Sequence, residues 1–329
     1  MFHFSKQKFI TVLTLFSMLS VSLSASCIAN DVVSKINSIV DKEAKHYLAT
    51  FKKIHQNPEL GFQETETAKL VAAAFKKEGF QVTTGVGGTG VVGMLKNGDG
   101  PIVLFRSDMD ALPVEEQNDL PYKSTKVVTN LQGKQVPVMH ACGHDVHVVW
   151  LTEVAKVMMQ LKDQWSGTLV LIGQPAEELL SGAQAMLKDG LLDIIPKPDY
   201  ILAGHNFPWW PVGSVSLRAG NRMAGSDQLD VKIYGVGGHG SAPHRAKDPV
   251  LMASQAVVNY QSIISRNLDQ AKPAVLTVGA INSGLANNII PDDANLMVNL
   301  RWYDEKISDQ MITEIKRVTD AIAVMNNMP

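Results

Sequence analysis

Hydrophobic and polar positions along the first two thirds of the chain predict helices and strands in alternation. Apolar residues recur at helical spacing over residues 31–55 and again over Thr65–Lys77. Continuous apolar runs at 102–105 and 168–173 are typical of strands buried inside a sheet. The same reasoning predicts strands at 81–84, 91–95 and 200–203, and helices at 144–161 and 182–188. This order predicts an α/β layer architecture.

The pattern changes from about residue 218 onward. Strands are predicted at 228–234, 275–281 and 294–302, and helices at 250–266 and 307–324. The order β-α-β-β-α is that of a ferredoxin-like module without its last strand. We therefore predict a first domain over residues 30–217 and a separate second domain over residues 218–329.

The N-terminus, residues 1–29, has the features of a bacterial secretory signal. Lysines precede an apolar run over residues 9–23, and small residues follow it, so cleavage is predicted after Ala25 or Ala29. The alternative of a membrane anchor is disfavoured because the run is shorter than the ~20 residues of a spanning helix. A lipid anchor on Cys27 is a weaker alternative still. The prediction is a periplasmic or secreted protein without stable membrane insertion after signal removal.

Composition and charge narrow the possible partners and the redox chemistry. The 329 residues include 30 basic and 32 acidic side chains, a net charge of −2, which gives no electrostatic reason to bind nucleic acid. Two cysteines, Cys27 and Cys142, exclude a disulfide-rich scaffold. Signal removal after Ala29 would leave Cys142 alone. A lone thiol in an oxidising compartment is a liability unless it is buried or bound.

The sharpest motif is residues 139–147, Met-His-Ala-Cys-Gly-His-Asp-Val-His, at the start of a predicted helix. It holds three histidines, a thiol and a carboxylate. Thiolate and imidazole together suit zinc or a similar transition metal. The alternative is a buried structural cysteine among incidental histidines.

Charged and polar residues also follow three predicted strands. Asp108 and Asp110 come after the strand at 102–105, Glu177 and Glu178 follow another strand, and His205 ends a third. Open α/β sheets place ligands and catalysis at the carboxyl ends of strands. One of two adjacent carboxylates can bind a metal while the other acts as general base. Alone, each has an ordinary reading as a solvated or loop residue, but their joint occurrence is far more specific.

The second domain carries weaker signals. A glycine-rich loop over residues 235–244 contains His239 and His244, and it lacks the Gly-Lys-Ser/Thr end of a phosphate-binding loop. A tight strand-to-helix turn is an equally good reading of this loop. Asn288 and Arg301 are individually weak candidates.

As a set, these segments resemble the metal-dependent aminoacylase and carboxypeptidase family, in particular its amidohydrolase branch of hippurate, N-acyl-amino-acid and auxin-conjugate hydrolases. The resemblance implies a zinc-peptidase-like α/β catalytic domain with an inserted ferredoxin-like α+β lid and dimerisation domain. The matching segments run in family order from about residue 48 to residue 301, and they are 57–64, 106–113, 140–145, 174–178, 204–208, 237–244 and 288–291.

Carried over by position, the resemblance implies a pair of divalent metal ions per subunit, zinc, manganese, cobalt or nickel. Their ligands would be Cys142, His144, Glu178 and His205. Glu177 would be the general base that takes a proton from the attacking water. The implied substrate is a small N-acyl amino acid, with an acetyl, benzoyl or similar group, or a small peptide.

The resemblance also assigns supporting roles. Asp108 and Asp110 look like orienting groups. His239 looks like the lid histidine that reaches into the partner subunit's site and steadies the developing oxyanion. Asn288 and Arg301 resemble the residues that hold the substrate's carboxylate end. A homodimer through the lid domain is implied.

The sequence departs from the family pattern after the second domain. Family members supply a final histidine ligand in a C-terminal segment, and no histidine follows His244 here. We expect a truncated reading of a longer protein in preference to a degenerate relative with impaired metal binding. The expected function is metal-dependent amide hydrolysis. A non-catalytic binding or dimerisation protein, and a thiol hydrolase that uses Cys142, are the alternatives.

Overall fold

The computed structural model describes the backbone of residues 7–328 and the side chains of residues 31–328. The predicted signal segment, residues 1–29, lies outside the described side chains, and so does Cys27. Within the described part of the chain, no helix combines the length and the apolar content that crossing a bilayer requires. The chain forms two compact units that divide between Trp210 and Pro211, a few residues before the boundary expected from the sequence.

The first unit is built on one five-stranded mixed sheet. Strands β1 (Gln81–Val86) and β2 (Gly90–Asn97) form an antiparallel hairpin. Strand β6 (Gly167–Gln174) pairs antiparallel with β2 and parallel with β3 (Ile102–Asp108). Strand β3 also pairs parallel with β7 (Tyr200–Ala203). The carboxyl ends of β3, β6 and β7 therefore meet at one edge.

Helices of the first unit cover both faces of this sheet, which confirms the α/β prediction. They are α1 (Gln7–Gln56), α2 (Thr65–Lys77), α3 (His144–Gln160), α4 (Gly182–Lys188) and α5 (Leu191–Ile194). The sheet has an apolar core on each of its two faces, because neighbouring residues of β6 point to opposite faces. Leu171 packs with the buried side chains of α1, α2 and α3. Ile172 packs with those of α4 and α5.

The second unit contains a three-stranded antiparallel sheet. In order across the sheet, its strands are β10 (Ala274–Ser283), β12 (Asp293–Trp302) and β8 (Gly225–Tyr234). Helices α6 (Pro249–Ser262) and α7 (Glu305–Met325) pack on this sheet around one apolar core. The element order confirms the predicted β-α-β-β-α module.

Helix α6 shows how local sequence determines an element boundary. Asp248 is its N-cap, and the carboxylate accepts hydrogen bonds from the backbone N–H groups of Val250 and Leu251. The predicted helix over 250–266 ends its α-helical part at Ser262 and continues as a π-helical turn, Ile263–Asn267.

Several short elements were not predicted. Strands β4 (Val127–Thr129) and β5 (Gln135–Pro137) form a hairpin, and β9 (Gly238–His239) pairs with β11 (Ile289–Ile290). Two or three residues are too few to show a hydrophobic period. Two 3₁₀ turns, Lys162–Gln164 and Pro243–Arg245, complete the described elements. The longer predicted elements are all confirmed, with ends that differ by a few residues.

Candidate metal centre

The parallel strands of the first unit deliver the polar residues to one place. Asp108 is the last residue of β3, and Gln174 is the last residue of β6. Glu177 and Glu178 follow β6 after a short loop, and His205 follows β7. This is the edge at which open α/β sheets bind ligands.

The start of helix α3 brings the thiol and the first histidine to the same edge. Gly143 is the N-cap residue and has a left-handed backbone (φ 81°). A Cβ at this position would also collide with the side-chain amide of Asn206, so only glycine fits. The turn places Cys142 just before the helix and His144 at its first residue, fully buried.

The candidate ligand atoms converge around His144. The Sγ of Cys142 lies 3.4 Å from the Nε2 of His205, and the ligand atoms of Cys142, His144 and His205 all lie within 4.8 Å of one another. His144, Glu177 and Glu178 form a second such group. The Nε2 of His144 is 3.9 Å from the Oε1 of Glu178. The structure thus brings together the four side chains that the sequence predicts as ligands.

Two of these atoms have no hydrogen-bond partner among the residues that the structure describes. They are the Nε2 of His144 and the Oε1 of Glu178, and both are buried. Each orphaned buried polar atom costs about 1–3 kcal/mol, so natural proteins rarely leave one unexplained. A cation would satisfy both. Thiolate, imidazole and carboxylate are the donors that zinc and similar transition metals prefer, so this donor set fits a metal centre.

The pKa values of the cluster also favour a cation. The nearby ring of His144 and the contact with His205 lower the pKa of the Cys142 thiol, although burial opposes this. Burial disfavours a charged His144, yet the hydrogen bond to Asp110, the nearby thiol of Cys142 and the charge of Asp108 raise the pKa of this ring to about 11. Burial raises the pKa of Glu178. The site therefore favours positive charge at His144, and a metal ion would supply that charge in place of the proton.

Asp110 connects two candidate ligands. The Nδ1 of His144 contacts the backbone oxygen of Asp110 at 2.8 Å and its Oδ1 at 3.2 Å. The Oδ2 of Asp110 accepts a hydrogen bond from the backbone N–H of Glu178 at 2.9 Å. A proton on Nδ1 leaves Nε2 of the same ring as the free ligand atom, as in many metal sites. Asp110 therefore orients the His144 ring and fixes the backbone at Glu178.

Asp108 has a similar position on the other side of the centre. Its Oδ2 accepts from Arg106 Nη1 at 2.9 Å, and its Oδ1 lies 2.5 Å from His147 Nδ1. Although Asp108 is buried, the hydrogen bond from His147 and the nearby charges of His144 and Arg106 hold its pKa well below the usual range. Asp108 is therefore an ionised carboxylate at the floor of the site.

His147 is the site residue to which sequence reasoning gave no role. Its ring is fully buried, and its Nε2 accepts a hydrogen bond from the backbone N–H of Asn206 at 3.1 Å. Its ring centroid lies 4.6 Å from that of His205. The signal was its position, because residues three apart share a helix face and His147 lies three residues after His144. His147 ties the β3 end to the segment that carries His205.

The remaining predicted site residues lie in the second unit. His239 is exposed on β9, and its Nδ1 contacts the hydroxyl of Ser241 at 2.8 Å. Asn288 lies beside this strand, because its carbonyl accepts a hydrogen bond from the backbone N–H of Gly240 at 2.8 Å. Arg301 lies on β12, and its Nε donates to the side chain of Asn299 at 3.0 Å. Their roles toward the metal centre stay predictions.

Comparisons with known proteins identify relatives of this chain. The sequence profile of peptidase family M20/M25/M40 matches residues 104–316. The hippurate hydrolase of Campylobacter jejuni is 44% identical over 276 residues, which cover 84% of this chain and 69% of the relative. The N-acetyl-L-cysteine deacetylase of Bacillus subtilis is 37% identical, over 85% of this chain and 64% of the relative.

A solved structure of a relative has a similar fold. The Bacillus subtilis YXEP protein, described as a dinuclear metal binding peptidase, superposes with a TM-score of 0.66 at 29% identity, covering 86% of this chain and 70% of that one. The chain belongs to peptidase family M20/M25/M40. It is a metal-dependent hydrolase that acts on linear amides.

Proposed function

We propose that this protein hydrolyses the amide bond of small N-acyl amino acids, with Glu177 as the general base. The observation that carries the proposal is the geometry around His144. Its unpartnered Nε2 lies 3.9 Å from Glu177 Oε2 and 3.9 Å from Glu178 Oε1. The similarity to proteins named hippurate hydrolase and N-acetyl-L-cysteine deacetylase supports this substrate class.

Four side chains would hold the metal: Cys142, His144, Glu178 and His205. We propose two divalent ions, because the similar YXEP protein is described as a dinuclear metal binding peptidase. The mixed thiolate, imidazole and carboxylate donors suit zinc, manganese, cobalt or nickel. When bound, such ions supply Lewis acidity that polarises the amide carbonyl and lowers the pKa of water toward 7.

In this proposal Glu177 is the group that moves protons. Its side chain is 34% exposed against 20% for Glu178, and no described residue forms a hydrogen bond with its carboxylate. The carboxylate is therefore free to take a proton from the water that attacks the carbonyl carbon. As the C–N bond breaks, the same carboxylate gives that proton to the leaving nitrogen. The products are a carboxylic acid and a free amino acid.

The supporting residues complete the proposal. Asp110 holds His144 and Glu178 in place through the hydrogen bonds described above. We propose that His239 of the second unit reaches into the partner subunit's site and steadies the developing oxyanion there. Asn288 and Arg301 would bind the carboxylate end of the substrate. Dimerisation through the second unit is part of the same proposal.

The test is metal-dependent release of amino acid. The chain is stripped with a chelator, each divalent metal is added back, and release is measured from a panel of N-acetyl and N-benzoyl amino acids. We expect release from part of the panel with metal and none without it. No metal-dependent release from any compound would refute the proposal.

Two other outcomes would identify the alternatives. Binding of an acyl amino acid without hydrolysis would favour a non-catalytic binding protein. Chelator-resistant hydrolysis that a thiol alkylator blocks would favour a Cys142 thiol hydrolase.

A further inference from the structure

A buried carboxylate reaches the loop that carries Glu177 and Glu178. Glu64 ends the segment 57–64 and is 0% exposed. Its Oε1 accepts a hydrogen bond from the backbone N–H of Ala176 at 2.7 Å. Its Oε2 accepts from the hydroxyl of Thr89 at 2.5 Å. The Glu64 side chain thus connects the segment 57–64 and Thr89 to Ala176, the residue just before the candidate base Glu177.

Ala176 is an unusual point in that loop. It has φ 45°, a left-handed conformation that residues with a Cβ rarely adopt unless the surroundings hold them there. Its carbonyl accepts hydrogen bonds from the N–H groups of Ser181 and Gly182, so the peptide groups on both sides of Ala176 are fixed. The direction in which the Glu177 side chain leaves the backbone depends on these two peptide groups.

The segment that carries Glu64 also packs directly on the loop. A Cβ built at Gly61 would lie 3.1 Å from the Cα of Ala176, so the two backbones are in close contact. No described residue other than Glu64 accepts a hydrogen bond from the Ala176 N–H. Without Glu64, that buried N–H would lose its acceptor and the left-handed turn would lose its restraint.

We propose that Glu64 is a positioning residue that holds the Ala176 peptide and thereby aims Glu177 at the substrate and Glu178 at the metal. The expected effect on Glu177 rests on the proposed function, whereas the expected effect on Glu178 and metal binding rests on the ligand geometry alone. Glu64 touches neither metal nor substrate. Its effect passes through the backbone from Ala176 to the two carboxylates.

Two variants test whether the length or the charge of the Glu64 side chain matters. Glu64→Gln keeps the length of the side chain, and its amide oxygen can accept from Ala176 while the Thr89 hydroxyl accepts from the amide nitrogen. Glu64→Asp keeps the charge, but its carboxylate is one methylene shorter and falls short of Ala176. Positioning therefore predicts that the Gln variant behaves like the wild type and that the Asp variant does not.

Glu59 provides a matched control in the same segment. It is also buried, at 6% exposed, and its carboxylate accepts from the N–H groups of Glu66 and Thr67 at the start of helix α2. Among the described residues, its hydrogen bonds do not reach the loop over 174–178. Glu59→Ala should lower the melting temperature without changing metal affinity.

The experiment measures metal affinity by competition with a chromophoric chelator, together with melting temperature, kcat and KM, on the full chain. Glu64→Asp should weaken metal affinity and lower kcat by about tenfold or more, with KM nearly unchanged. Glu64→Gln should stay within about twofold of wild type in each. Glu59→Ala should keep the metal affinity of wild type.

The opposite order, with Asp like wild type and Gln impaired, would overturn the proposal, because charge and not reach would then matter. So would an equal loss of metal affinity in Glu59→Ala, because general destabilisation would explain both. A chain that releases no amino acid at all contradicts the proposed function, yet the metal affinities of the same variants still test Glu64.

Discussion

His55 predicts a specific pH dependence of folding stability. Its Nδ1 lies 2.6 Å from Oδ2 of Asp145, and its Nε2 lies 2.9 Å from Oε1 of Glu116. All three side chains are buried. The ring therefore joins the end of helix α1 to the start of helix α3 and to the loop that carries Glu116.

The magnitude follows from the pKa of this ring. The hydrogen bond to Asp145 raises the pKa of His55 from 6.5 to about 9, with a further contribution from Glu116, although burial opposes the charged form. Each tenfold change in proton affinity is worth about 1.4 kcal/mol, so this rise contributes about 3 kcal/mol to the free energy of unfolding. Because the folded pKa is above the unfolded one, the contribution is complete below pH 6.5 and is lost as the pH rises through about 9.

The assay compares wild type with His55→Gln by urea unfolding at about pH 6 and about pH 10, with chelator present throughout. Titrations that both proteins share cancel in the difference between their free energies of unfolding. That difference should be about 3 kcal/mol smaller at the higher pH. His46, exposed on the same helix, provides the control, because His46→Gln should unfold like wild type at both pH values. A difference between wild type and His55→Gln that does not change with pH would refute the reasoning.

Two further substitutions test the local structure of each unit. In the first unit, a Cβ at Gly182 would overlap the carbonyl oxygen of Pro175. Gly182→Ala should therefore distort the loop before Glu178 and weaken metal affinity, measured by competition with a chelator. Unchanged metal affinity would contradict this prediction. In the second unit, Asp248→Ala removes the side chain that caps helix α6 and accepts from the Val250 N–H. This substitution should lower the free energy of unfolding by about 1 kcal/mol. Asp248→Asn, which keeps the acceptor, is its control, and an equal loss in both variants would contradict the capping explanation.

Much of the fold was predictable because the longer elements have a clear hydrophobic period. The buried run at 168–173 became β6, and helix α2 occupies the predicted residues Thr65–Lys77. The candidate site was predictable for a related reason. Charged residues such as Asp108 and Glu178 follow buried strands, and parallel strands bring their carboxyl ends to one edge.

Other features depend on tertiary contacts that no local pattern contains. The two-residue strand Gly238–His239 is too short for any period, and its existence depends on pairing with Ile289–Ile290. The tie between Glu64 and Ala176 joins residues far apart in the chain, and the segment 57–64 gives no sign of which loop it will contact. The role of His147 depends on the packing of helix α3 against β3, which brings its ring into contact with Asp108.

The central claim is that Glu177 transfers protons while its neighbour Glu178 holds metal. The most direct test measures metal content and the rate of amino acid release in Glu177→Gln, with Glu178→Gln as the matched comparison. We predict that Glu177→Gln keeps the metal content of wild type and loses activity by about 10²–10⁴-fold, the range that general acid and base catalysis contributes. Glu178→Gln should lose metal. Activity that survives in Glu177→Gln, or metal content that falls together with its activity, would contradict the account.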